Sequence, residues 1–175
     1  LLSKPFTLYT GIRLFSKEPL NVPQPVNLPL IIRQNKLSIG MVADTYYDKG
    51  LLAQLKKVPA DYIINTPADT FSNLKQLKEG KFKVKLEYPS VVDSHWPYIS
   101  KQKLYSYAVQ QATNYTLGHM LCGQTPQSQQ FISDFDATME QVYKSAEFFN
   151  ALYKSAIGLT VKEFEQYYKE GFKLN

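Results

Sequence analysis

Over residues 37–90 the apolar positions keep two rhythms in turn, and the alternation predicts strand, helix, strand, helix, strand. Leu37-Ser38-Ile39-Gly40-Met41-Val42-Ala43 is a short apolar run that leads into Asp44-Thr45-Tyr46. Leu51, Leu52 and Leu55 then fall at helical spacing, predicting a helix over 46–57 with Thr45 as its cap and Asp48 three residues on. Tyr62-Ile63-Ile64-Asn65 is the next strand. Thr66-Pro67-Ala68-Asp69 reads as a helix start, with Thr66 as cap, proline in the first turn and an acid at the third position. Phe71, Leu74 and Leu77 give that helix an apolar face, and Gly80 is placed to stop it. From Phe82 to Tyr88 apolar residues alternate with Lys83, Lys85 and Glu87, predicting a strand with one packed face and one polar face.

Outside this stretch the signals are more local. Residues 6–15 are β-like, with Gly11 as an irregularity, and four prolines make 17–29 an extended connector. Residues 28–32 suit a short turn of helix. Beyond Pro89 the pattern weakens: His95-Trp96-Pro97 suits a loop or short helix, and 104–109 and 115–121 are plausible strands. Thr125-Pro126 opens a long helical tract in which Phe131, Phe135, Val142, Phe149 and Leu152 recur. Thr160-Val161-Lys162-Glu163 is a capping box for a last helix, with Phe164 and Tyr168 inward and Gly171 as its stop. A strand–helix alternation of this kind favours a mostly parallel sheet flanked by helices, an α/β class, with a helical segment at the C-terminal end.

Composition narrows the chemistry. At 175 residues, 44% hydrophobic and 20% charged, the chain is long enough for one good core or two small ones. The net charge is +5, but only Arg13 and Arg33 are arginines, and the lysines are spread along the sequence among acids. That fits a solvated surface better than a nucleic-acid footprint. Thirteen tyrosines suit core edges, wet clefts and interfaces. Cys122 is alone, which excludes an internal disulfide and a cysteine metal site; no metal or cofactor is expected. No run is long enough for a membrane span. The chain begins at Leu1 rather than methionine, so a processed or truncated product is expected, with any secretion signal already removed.

Open α/β units bind ligands at the carboxyl ends of their strands. Here those ends carry Asp44, Thr45, Tyr46, Glu87 and Tyr88, the candidate ligand-binding residues. The free amides and hydroxyl at Thr45 suit a carbonyl or anionic group. Two readings stand: a ligand-receiving turn, or a helix cap beside an acid that favours the dipole. Glu87 would accept from an ammonium or hydroxyl, or else pair with Lys83 or Lys85. With Asp44 and Glu87 at one end of the sheet, a positively charged, sugar-like or peptide-like solute is expected. Catalysis is not expected. Asp93, Ser94 and His95 adjoin in sequence without implying a triad, no phosphate loop or nucleophile elbow is present, and Cys122 near His119 reads more simply as a core thiol.

Several short motifs carry a family resemblance. Ser3-Lys4-Pro5-Phe6, Ile39-Gly40-Met41-Val42 followed by Thr45-Tyr46, Leu77-Lys78-Glu79-Gly80-Lys81-Phe82, Leu86-Glu87-Tyr88-Pro89 and Cys122-Gly123-Gln124-Thr125-Pro126 resemble segments of type II periplasmic solute-binding proteins of the extracellular family 3. The resemblance covers nearly the whole chain. It implies a two-lobed, ligand-closing protein in the periplasm that delivers amino acids or similar polar solutes to an ABC transporter permease or a sensor. Residues 1–15 would be a hinge segment, 16–103 the second lobe, and 104–175 the return crossover and C-terminal helices packing towards the first lobe. Thr45, Tyr46, Glu87 and Tyr88 would face the ligand. The family places much of its first lobe ahead of the segment matched to 3–6, including an arginine that clamps a ligand carboxylate, so that part is expected to be missing here. Lys83 stands where many members have aspartate. The alternatives are a protein-interaction module on the same scaffold, and behind it an enzyme resembling a cyclohexadienyl dehydratase.

Overall fold

The computed structural model describes residues 1–42, 47–66, 69–156 and 158–174. They form two compact units. A strand-rich unit comprises Gly11–Thr113, and a helix-rich unit combines Leu1–Thr10 with Asn114–Asn175. The chain begins in the helix-rich unit with β1 (Thr7–Thr10), passes into the other at Gly11 and returns after Thr113. The β-like stretch 6–15 is therefore two strands rather than one. β1 and β2 (Arg13–Ser16) pair with different partners in different sheets.

The strand-rich unit continues with α1 (Leu28–Asn35), β3 (Ile39–Val42), α2 (Lys49–Leu55), β4 (Ile63–Thr66), α3 (Thr70–Glu79), β5 (Val84–Glu87), α4 (Pro89–Ile99) and β6 (Tyr105–Tyr107). Short polar side chains start α1, α2 and α3. Asn27 accepts from Leu30 N and caps α1. Asp48, not Thr45, caps α2, accepting from Leu51 N at 2.9 Å. Asp69, not Thr66, caps α3, accepting from Ser72 N at 2.7 Å. Thr66 instead ends β4, and its hydroxyl donates to Met41 O at 2.9 Å. In both helices the acid expected inside the first turn is itself the cap, so each helix starts later than its sequence suggests. Gly80 stops α3 as expected, with φ +79°. The segment after Pro89 is a full helix: Pro89 presets its first turn, and Val92, Trp96 and Ile99 bury one stripe.

The sheet order is β4-β3-β5-β2-β6. β3 pairs in parallel with β4 and β5, while β2 is antiparallel to both β5 and β6. Four strands thus run one way and β2 runs against them, giving the mostly parallel α/β sheet. One face buries Leu14, Ile39, Val84 and Leu86 against α1 and α2. The other buries Phe15 and Phe82 against Leu74, Leu77, Val92 and Trp96 of α3 and α4. Gly40 lies over Phe82 so closely that a Cβ would stand 2.5 Å from its ring. Cover on both faces also overturns the expected polar face of β5. Lys83 is exposed just ahead of the strand, but Lys85 is 1% exposed, because β5 is the central strand.

In the helix-rich unit β1 pairs antiparallel with β7 (Tyr115–Gly118), below α5 (Pro126–Val142), α6 (Ala146–Ser155) and α7 (Val161–Phe172). The long tract after Thr125 is two helices. The break falls at Tyr143–Lys144–Ser145, where Ser145 accepts from Phe148 N at 3.1 Å and restarts the helix. Thr160 and Glu163 form the expected capping box. Gly171 does not stop α7. It is buried inside the helix against Leu117, and Lys173, in the left-handed region, closes it. Leu8 anchors β1 in an aromatic core with Phe164, Tyr168, Phe172 and Tyr143. Among the described residues no helix is long and apolar enough to cross a membrane.

Candidate functional site

The parallel strands of the strand-rich unit end in Val42, Thr66 and Glu87, so the rim they share is where a ligand site of this architecture forms. Asp44, Thr45 and Tyr46 follow Val42 and lie outside the described residues. Glu87 and Tyr88 are described. Glu87 closes β5, and Tyr88 is the N-cap position of α4. The Glu87 carboxylate accepts from Tyr88 N at 3.0 Å and so sits at the positive end of the α4 dipole.

Two cations share this rim with Glu87. In the antiparallel ladder Arg13 stands directly opposite Glu87, and Phe15 opposite Lys85, which puts Arg13, Lys85 and Glu87 on one face. Lys85 Nζ lies 3.6 Å from Glu87 Oε2, with the two side chains 2% and 16% exposed. Of the two lysines beside Glu87, Lys85 is therefore its partner. Burial pulls the Lys85 ammonium below its ordinary value, and the Glu87 carboxylate pulls it back up. Arg13 Nε donates to Ser106 Oγ at 2.6 Å, which ties β2 to β6 at this level. Tyr47 is buried close by. Desolvation, with Glu87 and then Tyr88 adding to it, pushes its phenol up to about 12, so the hydroxyl stays protonated at neutral pH.

Arg13 and Tyr47 were not singled out in the sequence, and Lys85 only as one of two possible partners of Glu87. No local signal marked Lys85: its alternation with Val84 and Leu86 reads as a half-exposed strand, and only the sheet order, with β5 between β3 and β2, covers both faces. The rim thus joins an acceptor, Glu87, to two cationic donors and a neutral phenol, a set able to hold both signs of charge on one small ligand.

The groups considered for catalysis are used locally. Ser94 Oγ donates to Val91 O at 3.0 Å, and His95 meets Phe71 edge-on. His119 Nδ1 is 2.8 Å from Ser3 O, and Cys122 is a half-buried free thiol. Among the described residues no cluster of His, Cys, Asp or Glu suits a metal.

No protein-family model matches the sequence, and no curated protein matches it. Solved structures do match in fold. EhuB in complex with hydroxyectoine superposes with a TM-score of 0.61 at 20% identity, over 97% of this chain and 63% of its own. The arginine-, lysine-, histidine-binding protein ArtJ from Geobacillus stearothermophilus gives 0.58 at 16% identity, over 95% of this chain and 67% of its own. The periplasmic binding protein XoxJ from Methylobacterium extorquens AM1 gives 0.57 at 14% identity, over 90% and 72%. The chain spans about two thirds of the length of these proteins. Its architecture, a mostly parallel sheet covered on both faces by helices and joined to a helix-rich unit, is the type II periplasmic solute-binding fold.

Proposed function

We propose that this chain binds a small, polar, amino-acid-like solute as part of a periplasmic solute-binding protein serving an ABC transporter or a sensor. The observation that carries the proposal is the gathering of Arg13, Glu87 and the Lys85 ammonium at the carboxyl end of the parallel strands. With Glu87 already facing two cations, the rim suits a zwitterion better than a bare cation. Glu87 accepts from the ammonium of the solute, while Arg13 and the Tyr47 hydroxyl attract its carboxylate. Tyr88 walls the solute, and Asp44, Thr45 and Tyr46, which follow β3 in sequence, complete the contact. The ligands named for the similar structures, hydroxyectoine among them and arginine, lysine and histidine, support this class.

Titration calorimetry with arginine, glutamine and hydroxyectoine tests the reading. At least one should bind, and Glu87→Gln should weaken it by about tenfold or more, as loss of a charge-assisted hydrogen bond does. A Glu87→Gln protein that stays folded and keeps its affinity removes Glu87 from the site. Absence of binding across zwitterionic solutes removes the function.

A further inference from the structure

The lysines are scattered in sequence and gathered in space. In a βα repeat every helix ends, and every parallel strand begins, at the same end of the sheet. In the strand-rich unit that end collects the cations. α1 closes on Arg33 and Lys36, and α2 on Lys56 with Lys57 after it. Lys78 lies in the last turn of α3, and Lys81 and Lys83 in the turn into β5. Lys101 and Lys103 precede β6. β2 runs the other way, and its last residue, Ser16, pairs with Val84 and Tyr105 at the starts of β5 and β6, so Lys17 joins the same end.

Hydrogen bonds confirm the proximity. Lys17 Nζ donates to Lys78 O at 2.8 Å, Lys78 Nζ to Ile99 O at 2.6 Å, and the Arg33 guanidinium to Lys57 O at 3.0 Å. All of these cations except Lys17 are exposed. Glu18, Asp61 and Glu79 are the acids on the same connections, and Glu79 pairs with Lys81 at 3.6 Å. Ten cations thus face three acids, while the rest of the unit, with four cations and five acids, is close to neutral. A cation in the last turn of a helix is ordinary, because it complements the dipole. That explanation does not reach Lys17, Lys81, Lys83, Lys101 and Lys103, which lie outside the helices.

We propose that this lysine-rich end docks the strand-rich unit on an anionic lipid surface. Nine of the ten cations are lysines, compact hydrated charges that make a diffuse field rather than the bidentate grip of arginine. Such a field fits a plane of headgroups better than a single phosphate or a nucleic acid. The five strands alone make this end roughly 20 Å wide. Tyr98, 84% exposed in the last turn of α4, adds a ring with a polar tip of the kind that settles at headgroup level. Arg13 and Glu87 lie at the opposite ends of the strands, and Lys85 extends its ammonium to Glu87, so docking leaves the proposed solute site clear. The inference is independent of which solute binds there.

Sedimentation of the full chain with lipid vesicles tests it. Vesicles containing phosphatidylglycerol should carry the protein down at low salt and release it at high salt, and pure phosphatidylcholine vesicles should not bind it. Each lysine near such a surface contributes about fivefold, so Lys81→Glu with Lys83→Glu, and separately Lys101→Glu with Lys103→Glu, should each weaken binding by about 25-fold or more without changing the melting temperature. Tyr98→Ser should weaken it severalfold. The proposal fails if anionic vesicles do not bind the chain, or if both folded double variants bind like the parent. It also fails if polyglutamate competes fully while Tyr98→Ser changes nothing, which would assign the surface to an acidic protein.

Discussion

The two units solve the same problem in different ways. The strand-rich unit splits its apolar core into two layers, one on each face of the sheet, and admits charge on one of those faces in Lys85 and Glu87. It holds fourteen Lys and Arg against eight Asp and Glu, a net +6. The helix-rich unit gathers one aromatic core and carries six against seven, a net −1. Its buried phenols are spent on backbone acceptors: Tyr143 donates to Pro5 O at 2.5 Å and Tyr168 to Tyr143 O at 2.8 Å. The groups proposed to hold a solute, and the charge proposed to hold a surface, both lie in the strand-rich unit. The helix-rich unit is organised around packing.

The sharpest break of this contrast is Phe164→Ala. Phe164 is fully buried, with ring centroids 5.1 Å from Phe149, 5.3 Å from Tyr153 and 5.8 Å from Tyr168. Its removal leaves a cavity in a close-packed aromatic cluster and should cost about 3–5 kcal/mol. The single tryptophan, Trp96, lies in the strand-rich unit and reports on it alone. In urea, α7 should lose its amide protection early while the Trp96 fluorescence transition stays in place. A Trp96 transition that moves equally would show one cooperative core in place of two.

The buried pair gives the next test, with opposite expectations for its partners. Glu87→Gln leaves the Lys85 ammonium buried without its carboxylate. It should destabilise the strand-rich unit by about 2–3 kcal/mol, below the usual cost of breaking a buried pair because Glu87 keeps 16% of its exposure. Lys85→Met fills similar volume without charge and should stay within about 1 kcal/mol of the parent, since apolar replacement of a buried ion is often neutral or better. Urea midpoints followed at Trp96 measure both. Equal losses would mean that the pair is kept for stability rather than for what it offers the rim.

The boundaries that local chemistry dictates were legible: the stop at Gly80, the start at Thr125 and Pro126, the box at Thr160 and Glu163. So was the βαβαβ order. What the sequence concealed depends on distant pairing. The break at Gly11 looked like an irregularity within one strand, because nothing near it records that Thr7 pairs with Gly118 and Arg13 with Glu87. Lys85 looked like surface because its alternation with Val84 and Leu86 is local, whereas its burial follows from β5 lying between β3 and β2. Spread-out lysines looked like ordinary solvation until the phase of the βα repeat put them at one end. Of the residues that the pattern put at the candidate site, Glu87 and Tyr88 are described, and Asp44, Thr45 and Tyr46 lie outside the described residues. Arg13 came to the rim through β2, the one strand that runs against the others.

The smallest effect, and the one that separates the units without mutation, is alkaline pH. Tyr143 and Tyr168 of the helix-rich unit are raised from 10.0 to about 12, chiefly by burial. A raised acid holds its proton longer in the folded state, so this stabilisation is whole below pH 10 and is lost as pH climbs towards 12. Lys85 has the opposite sign. Its lowered value means that the unfolded chain binds more proton between that value and 10.5, so the strand-rich unit gains stability as pH rises through that window. Tyr47, raised to about 12, reverses this gain only above pH 10. Urea midpoints followed at Trp96 should therefore rise on approach to pH 10, while those from α7 amide protection stay level and then fall beyond it. In Lys85→Met the rise at Trp96 should vanish; a rise that persists would mean that another group in the sheet unit is shedding its proton on folding.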